Sequence, residues 1–184
     1  MGPLIVICCG CSINGEVNGE LLDANIGKPI PCAAVAAAYY VEKGTIGGQV
    51  NQYIDAAETT SDSDGKFPLP GRTGQPQIYV FAPGYESVCT WREQAESRVD
   101  ATNVPVGANT YRTIARPIVT TVTNTQGVTY QFRLSRLESA AARQSDVSGI
   151  TIYQPGVVAG KMTNFIKAVN SERKKYGWRD LYIR

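Results

Sequence analysis

The five cysteines are the residues whose chemistry is most varied, since a thiol can ligate a metal, form a disulfide or be acylated. Three of them stand in the N-terminal run Cys8-Cys9-Gly10-Cys11, and the other two are Cys32 and Cys89. A zinc or iron–sulfur site needs separated pairs of ligands, and the N-terminal run does not have that spacing. The sequence therefore predicts no metal site.

Histidine is absent from all 184 residues, which excludes Ser-His-Asp triads, Cys-His dyads and histidine-ligated metals or haem. Glu93 and Glu96 have the residue types of an acid/base pair, but an exposed charged face is the simpler interpretation. Asp62 and Asp64 resemble the start of a calcium loop, yet Thr73 stands where such a loop needs its bidentate glutamate. A tight turn at Asp62–Gly65, in which the aspartate side chains bond the local backbone, is the simpler interpretation. We therefore expect no catalytic residue, no cofactor and a protein that is not an enzyme.

An apolar segment near the N-terminus is far too short to cross a bilayer, which takes about 20 residues. Followed by Gly10-Cys11, it resembles the end of a bacterial lipoprotein signal, which implies cleavage before Cys11 and lipidation of its thiol. The alternative is a buried strand that joins a sheet edge of this chain or of a neighbouring subunit. The segment consists of Leu4, Ile5, Val6 and Ile7.

Cleavage at that junction leaves Cys32 and Cys89 as the only thiols besides the lipidated Cys11. Two remaining thiols suit a disulfide in an oxidising compartment. Cys32 begins one predicted core strand and Cys89 follows the end of another, so we expect these two residues to pair. Two separate buried thiols that act as small apolar groups are the alternative.

The elements that must position these residues are mainly strands. Hydrophobic residues make up 43% of the chain and charged residues 18%, which is enough apolar material for a core. Residues 77–82 are predicted to form a central strand, which Pro83-Gly84 ends. Alternation of apolar and polar residues in 128–134 predicts a strand that forms a hairpin with 118–123. Residues 161–176 have the apolar spacing of a surface helix. The residues that form its apolar stripe are Met162, Phe165, Ile166 and Val169.

Three segments carry a family resemblance. They contain Gly27-Lys28-Pro29-Ile30-Pro31, Asp62-Ser63-Asp64-Gly65-Lys66-Phe67 and Ala82-Pro83-Gly84-Tyr85. These segments resemble the carboxypeptidase regulatory-like domain, which implies a prealbumin-like β-sandwich of about seven strands. Cys32 departs from the family pattern, which has glycine there. The expected organisation is a leader or N-terminal strand at 1–11, a sandwich at 12–135 with an insertion at 86–117, and a helical C-terminal extension at 136–184.

Members of that family are accessory binding modules or bacterial surface lipoproteins, so the resemblance implies a non-catalytic exported protein. The expected role is binding, adhesion or envelope structure, in the periplasm, on the outer surface or outside the cell. The expected partners are the membrane, through a lipid on Cys11, and other protein subunits. The alternative is a self-assembling extracellular subunit that uses Leu4–Ile7 as an added strand. With 18 basic and 16 acidic residues, the net charge of +2 gives no basis for a nucleic-acid partner.

Overall fold

The computed structural model describes residues 16–90, 104–107, 110–112, 118–124, 127–150, 152 and 156–181. For those of them that lie between 104 and 128, it describes the backbone alone. Strands dominate the described part, and three helices follow them. The strands are β1 (Glu16–Asp23), β2 (Ala34–Thr45), β3 (Gly48–Thr60), β4 (Lys66–Leu69), β5 (Gln75–Phe81), β6 (Val88–Cys89), β7 (Val104–Gly107), β8 (Thr110–Arg112), β9 (Ile118–Asn124) and β10 (Gly127–Leu134). The helices are α1 (Ala140–Gly149), α2 (Gly156–Ala159) and α3 (Thr163–Lys175).

Two four-stranded sheets form the body of the protein. The first has the strand order β4-β1-β10-β9 and the second the order β3-β2-β5-β6, while β7 and β8 form a separate hairpin. Within the two large sheets β1 runs parallel to β10, and the other neighbouring strands are antiparallel. The prediction of a mainly β sandwich of about seven strands with a C-terminal helix is confirmed.

The main hydrophobic core lies between the two sheets. In β1, β2, β4, β5 and β10, side chains at alternate positions point into this core, as a period of two requires. Aromatic rings fill its first-sheet side, where the ring centroids of Phe67 and Phe132 are 6.1 Å apart. The largest residues of this core are Val17, Leu21, Val35, Tyr39, Phe67, Leu69, Ile78, Val80, Phe132 and Leu134.

Strand β2 is buried on both of its faces. Val35, Ala37 and Tyr39 point into the core between the sheets, whereas Ala36 and Ala38 point to the opposite face. That opposite face is covered by the C-terminal helices, whose Val147, Met162, Phe165 and Val169 belong to a second core. A strand buried on two faces has a continuous apolar sequence. This explains why the alanine-rich residues 33–38 lead into a strand and not a helix.

Helix α3 uses the predicted apolar stripe to cover the second sheet. Met162, Phe165 and Val169 are at most 2% exposed, so the predicted helix is confirmed. It ends in a Schellman motif, in which the amides of Gly177 and Trp178 donate to the carbonyls of Lys174 and Arg173. Gly177 has a φ of 72°, a conformation that favours glycine. Within the described residues, helices fall short of the length and apolar character needed to cross a membrane.

The start of α3 is capped from another element. Met162 stands at the N-cap position and provides no side-chain hydrogen bond. Instead, the Glu58 carboxylate on β3 accepts from the backbone amides of Asn164 and Phe165 at 2.8 and 2.9 Å. A carboxylate at this end of a helix satisfies amides that have no intrahelical partner and interacts well with the helix dipole. Glu58 thus fixes α3 on the second sheet.

Replacing Glu58 by alanine is expected to lower the free energy of unfolding by about 1–2 kcal/mol, the usual cost of losing a helix cap. Glu58→Gln keeps an acceptor oxygen without the charge and should lose less. Urea unfolding followed by far-UV circular dichroism measures both changes. Glu42→Ala is the matched control, because it removes an exposed glutamate from β2. Equal stability of the Glu58→Ala and Glu42→Ala variants would contradict the capping role.

The Asp62–Gly65 segment forms the tight turn favoured by its sequence. The Asp62 carboxylate accepts from the amides of Asp64 and Lys66 at 2.9 and 2.8 Å. Gly65 has a φ of 72°, and its carbonyl accepts from the amide of Leu21 on β1. The carboxylate therefore satisfies the local backbone, and the turn connects β3 to β4 and accepts a hydrogen bond from β1.

Candidate functional site

Several residues singled out from the sequence lie outside the described residues. These are the lipidation candidate Cys11, the apolar segment Leu4–Ile7, and the carboxylates Glu93 and Glu96. Lipidation, strand addition by Leu4–Ile7, and an envelope or extracellular location stay predictions. The resemblance to the carboxypeptidase regulatory-like domain stays a prediction as well.

The predicted disulfide between Cys32 and Cys89 is not formed. Cys32 is exposed in the turn before β2 and has a φ of 58°. Cys89 lies on β6 opposite Tyr79 of β5, and its sulfur accepts from the Gln77 amide at 3.2 Å. Because β5 lies between β2 and β6, two strand spacings of about 4.8 Å each separate the outer strands. That separation exceeds the Cα distance of about 7 Å that a disulfide tolerates.

A charged cluster closes one end of the sandwich around Asp23, the last residue of β1. The Asp23 side chain is 1% exposed and contacts Arg136, which is 50% exposed, with 2.5 Å between the carboxylate oxygen and Nε. The same oxygen accepts from the hydroxyl of Tyr85 at 3.1 Å. The other carboxylate oxygen accepts from the amides of Asn25 and Ile26. Every oxygen of this buried carboxylate is thereby hydrogen-bonded.

Backbone hydrogen bonds join the two segments that carry this cluster, 84–86 after β5 and 135–137 after β10. The amide of Glu86 donates to the carbonyl of Ser135, and the amide of Leu137 donates to the carbonyl of Gly84. Arg136 lies over the Tyr85 ring, with 5.6 Å between the guanidinium carbon and the ring centroid. The segment after β5 and the segment after β10 therefore form one rigid corner that joins the two sheets.

The electrostatics of this corner favour charged Asp23 and Arg136. The hydrogen bond from Arg136 is the main cause that lowers the pKa of Asp23 to about 2, against the opposing effect of burial. Burial is the main cause that raises the pKa of Tyr85, and its hydrogen bond to Asp23 adds to the rise. Tyr85 thus stays a neutral hydroxyl donor. Burial also raises the pKa of the neighbouring Glu86.

A cleft of about 270 Å³ opens next to this corner. Two of its lining residues are arginines: Arg136 from the corner and Arg143 from α1. Arg143 Nη2 approaches the carbonyl of Glu138 at 3.4 Å, whereas its Nε is buried without a hydrogen-bond partner in the part of the chain that the structure describes. The remaining lining residues are Pro83, Gly84, Tyr85, Leu137 and Glu138.

Helix α1 is fixed against the corner by Asp146. Its carboxylate accepts from the amide and the hydroxyl of Ser87 at 3.0 and 3.1 Å. At the other end, the hydroxyl of Ser139 caps the helix by accepting from the amide of Ala142. Both ends of the turn that presents Arg143 are thus held in place, and the guanidinium is positioned on the cleft wall.

A second cleft of about 320 Å³ lies on the outer face of the first sheet. Its charged residues are Glu20 and Lys66, and Glu20 accepts from the Gln131 amide at 2.9 Å. The buried Nε of Arg143, which has no hydrogen-bond partner among the described residues, does not line this cleft. The cleft beside Arg136 and Arg143 is therefore the better candidate site.

No sequence pattern singled out this site. Asp23 and Arg136 are 113 positions apart, and no local pattern joins them. The one available signal was Ala82-Pro83-Gly84-Tyr85, which predicted the end of a core strand with an aromatic residue at the edge. Chemically, the two guanidinium groups suit the binding of an anion, whereas Tyr85 already donates its hydroxyl proton to Asp23. Within the described ranges, clusters of Cys, Asp and Glu able to hold a metal ion are absent.

Comparison with known proteins gives a match to solved structures alone, since neither the family models nor the curated proteins match the sequence. A 3-chlorocatechol 1,2-dioxygenase from Rhodococcus opacus 1CP is 14% identical, with 66% of this chain and 60% of that chain covered and a TM-score of 0.35. The catechol 1,2-dioxygenase from Pseudomonas arvilla C-1 is 17% identical, with 72% and 55% covered and a TM-score of 0.37. A dioxygenase domain from Streptomyces sp. SirexAA-E is 16% identical, with 73% and 86% covered and a TM-score of 0.36.

These matches contradict the prediction of a non-catalytic exported protein, in both its lipoprotein form and its self-assembling form, because the matched proteins are enzymes. The prediction that the chain is not an enzyme is wrong on the same ground. The chain spans less than two thirds of the first two dioxygenases, and with TM-scores of 0.35 and 0.37 they assign no reaction to it.

Proposed function

We propose that this protein binds a small molecule with a carboxylate or phosphate group in the cleft between Arg136 and Arg143. The observation that carries the proposal is the buried Nε of Arg143, which lacks a hydrogen-bond partner among the described residues. Leaving a buried donor unsatisfied costs about 1–3 kcal/mol, and more for a charged group. Such a cost is recovered when a ligand supplies the missing acceptor oxygen.

The chemistry of the lining residues favours an anion. Arginine presents several N–H donors in a planar arrangement that matches the oxygens of carboxylates and phosphates. Arg136 uses its Nε on Asp23 and lies half-exposed at the cleft. Glu138 provides the one acidic side chain of the lining, so two guanidinium groups face one carboxylate. Arg136 is also paired with the Asp23 carboxylate, so Arg143 is the cation of the lining that has no ion pair among the described residues.

The corner positions its groups before a ligand arrives. Asp23 and Tyr85 hold Arg136, and Asp146 holds the helix that presents Arg143. Groups that are already oriented lose little conformational entropy on binding, which raises affinity. A cleft of about 270 Å³ lies near the lower end of the volumes of small-molecule sites, so it suits a small ligand.

Replacing Arg143 by glutamine is expected to weaken binding of inorganic phosphate or succinate by about 10-fold to 100-fold, since a hydrogen bond to a charged group contributes about 1.5–3 kcal/mol. Isothermal titration calorimetry measures the affinity, and amide NMR shifts at residues 84–86 and 135–137 locate the ligand. Using phosphate and succinate separately distinguishes the two anion classes.

Arg179→Gln is the matched control, because it removes an exposed arginine that does not line the cleft. Binding should be retained in this variant. Equal weakening by Arg143→Gln and Arg179→Gln would indicate general charge screening and refute the site. Absence of saturable binding of both anions to the wild-type protein would also refute it.

A further inference from the structure

The β2–β3 hairpin extends beyond the sheet to which it belongs. Strand β2 pairs with β5 only from Ala34 to Tyr40, whereas its pairing with β3 continues to Thr45. Five cross-strand pairs, from Val41 opposite Gln52 to Thr45 opposite Gly48, therefore form a two-stranded arm about 16 Å long. A two-stranded hairpin alone is at best marginally stable in water.

The arm exposes apolar side chains and a strand edge. Ile46 at the tip is fully exposed, Val50 is 51% exposed, and Ile54 at the base is 41% exposed. In addition, β3 is the outermost strand in the order β3-β2-β5-β6, so one row of its backbone N–H and C=O groups has no neighbouring strand in the described part of the chain. Such an edge is a template for pairing with another strand.

The outer half of β3 lacks the usual protection of an edge strand. Residues 48–54 read Gly-Gln-Val-Asn-Gln-Tyr-Ile and contain neither a charged residue nor a proline. The charges of β3 begin at Asp55, which contacts Lys161 and Arg72, and continue at Glu58, which caps α3. Protected edges typically carry lysine, proline or inward-pointing charges. The unprotected stretch coincides with the exposed arm.

We propose that this arm is a dimerisation surface, on which β3 pairs antiparallel with β3 of a second copy of this chain. A two-fold axis at Asn51 places the side chains of both Asn51 residues opposite each other and Val50 opposite Gln52 of the partner subunit. This register pairs residues 49–53 of the two copies and ends at Ile54, the extra residue of the bulge in β3. The two second sheets then join into one continuous sheet of eight strands.

A second copy is favoured as the occupant because a two-fold interface brings each residue near its own equivalent. A strand with charges of one sign would repel itself there, and the outer half of β3 has none. The register shift at Tyr39/Tyr40 marks a bulge at the base of the arm, which limits regular pairing to the arm itself. Two copies of this strand can therefore face each other along the exposed arm without charge repulsion.

Sedimentation velocity over a range of concentrations tests the proposal with charge variants of Asn51. Asn51→Lys places two lysines opposite each other at the axis, and we expect the dimer dissociation constant to rise about fivefold. Within the hairpin Asn51 faces Glu42, so the lysine does not disturb the arm itself. Asn51→Asp is made together with Glu42→Gln, so that no like charge faces the aspartate within the hairpin; it should weaken the dimer similarly, and an equal mixture of the two variants should associate more tightly than either variant alone.

Ile46→Lys is the matched control, because it adds the same charge at the tip and outside the pairing register. It should dimerise like the wild-type protein, and circular dichroism establishes that all variants fold. A wild-type protein that stays monomeric overturns the proposal. If β3 amides of that monomer exchange slowly, another segment of its own chain covers the edge, and the proposal is overturned as well. Failure of the lysine and aspartate variants to restore association when mixed overturns the antiparallel register.

Discussion

Replacing Gly19 by alanine is expected to lower the free energy of unfolding by about 1–3 kcal/mol, the usual effect of adding a methyl group to a filled core. Gly19 on β1 stands opposite Phe67 on β4, and a Cβ atom at Gly19 would overlap the Phe67 ring. Phe67 is 1% exposed and packs against Phe132, so its ring has little room to move. Urea unfolding measures the loss.

The control for this prediction is Gly44→Ala, which makes the same change in strand β2 with no atom within 4 Å of the added Cβ. This variant should be neutral or stabilised by up to about 1 kcal/mol, because glycine is unfavourable in a strand interior. Combining Gly19→Ala with Phe67→Leu should cost less than the sum of the single changes. Similar effects of the two Gly→Ala variants would contradict the close contact with Phe67.

Features with a local periodicity could be predicted from the sequence. Alternation predicted β10, the spacing of Met162, Phe165 and Val169 predicted α3, and Asp62–Gly65 predicted a turn. Each of these depends on residues close in the chain, where the period of the hydrophobic pattern reports the geometry.

Features that depend on strand order were not predictable in this way. The disulfide prediction placed Cys32 and Cys89 at neighbouring strand ends, but the order β3-β2-β5-β6 separates them by a whole strand. Likewise, the cap of α3 comes from Glu58, 106 positions before Asn164. Neither Glu58 nor Asn164 carries a local sequence signal for this contact, because the two residues meet only after the second sheet and the helix have packed.

The candidate site illustrates the same limit. Arg143 lies in a helix of mostly polar residues, and its sequence neighbours are typical of a solvent-exposed surface. Only the position of α1 beside the corner makes its Nε a buried donor. The functional interpretation from sequence depended instead on cysteines and on a family resemblance, and it therefore pointed away from this cleft.

Acidification is expected to weaken the fold through Asp23, because the pKa of this carboxyl is held at about 2, below its usual value of 3.8, chiefly by the hydrogen bond from Arg136. A group with a lowered pKa in the folded state stabilises the fold above its unfolded pKa and loses that contribution as the pH falls through its folded pKa. The window is therefore pH 4 to 2. Asp23→Asn lacks the titrating group but keeps acceptor capacity for Asn25 and Ile26.

The difference in unfolding free energy between the wild-type protein and Asp23→Asn should therefore be constant above about pH 5 and shrink towards pH 2. Asp64→Asn is the matched control, because it makes the same change at an exposed residue of the β3–β4 turn. Carboxyl ¹³C NMR titration should give a pKa of about 2 for Asp23 and a higher value in Arg136→Gln. An unchanged pKa in Arg136→Gln would show that Arg136 does not hold the carboxylate in its charged form, and the rigid corner beside the cleft would lose its main support.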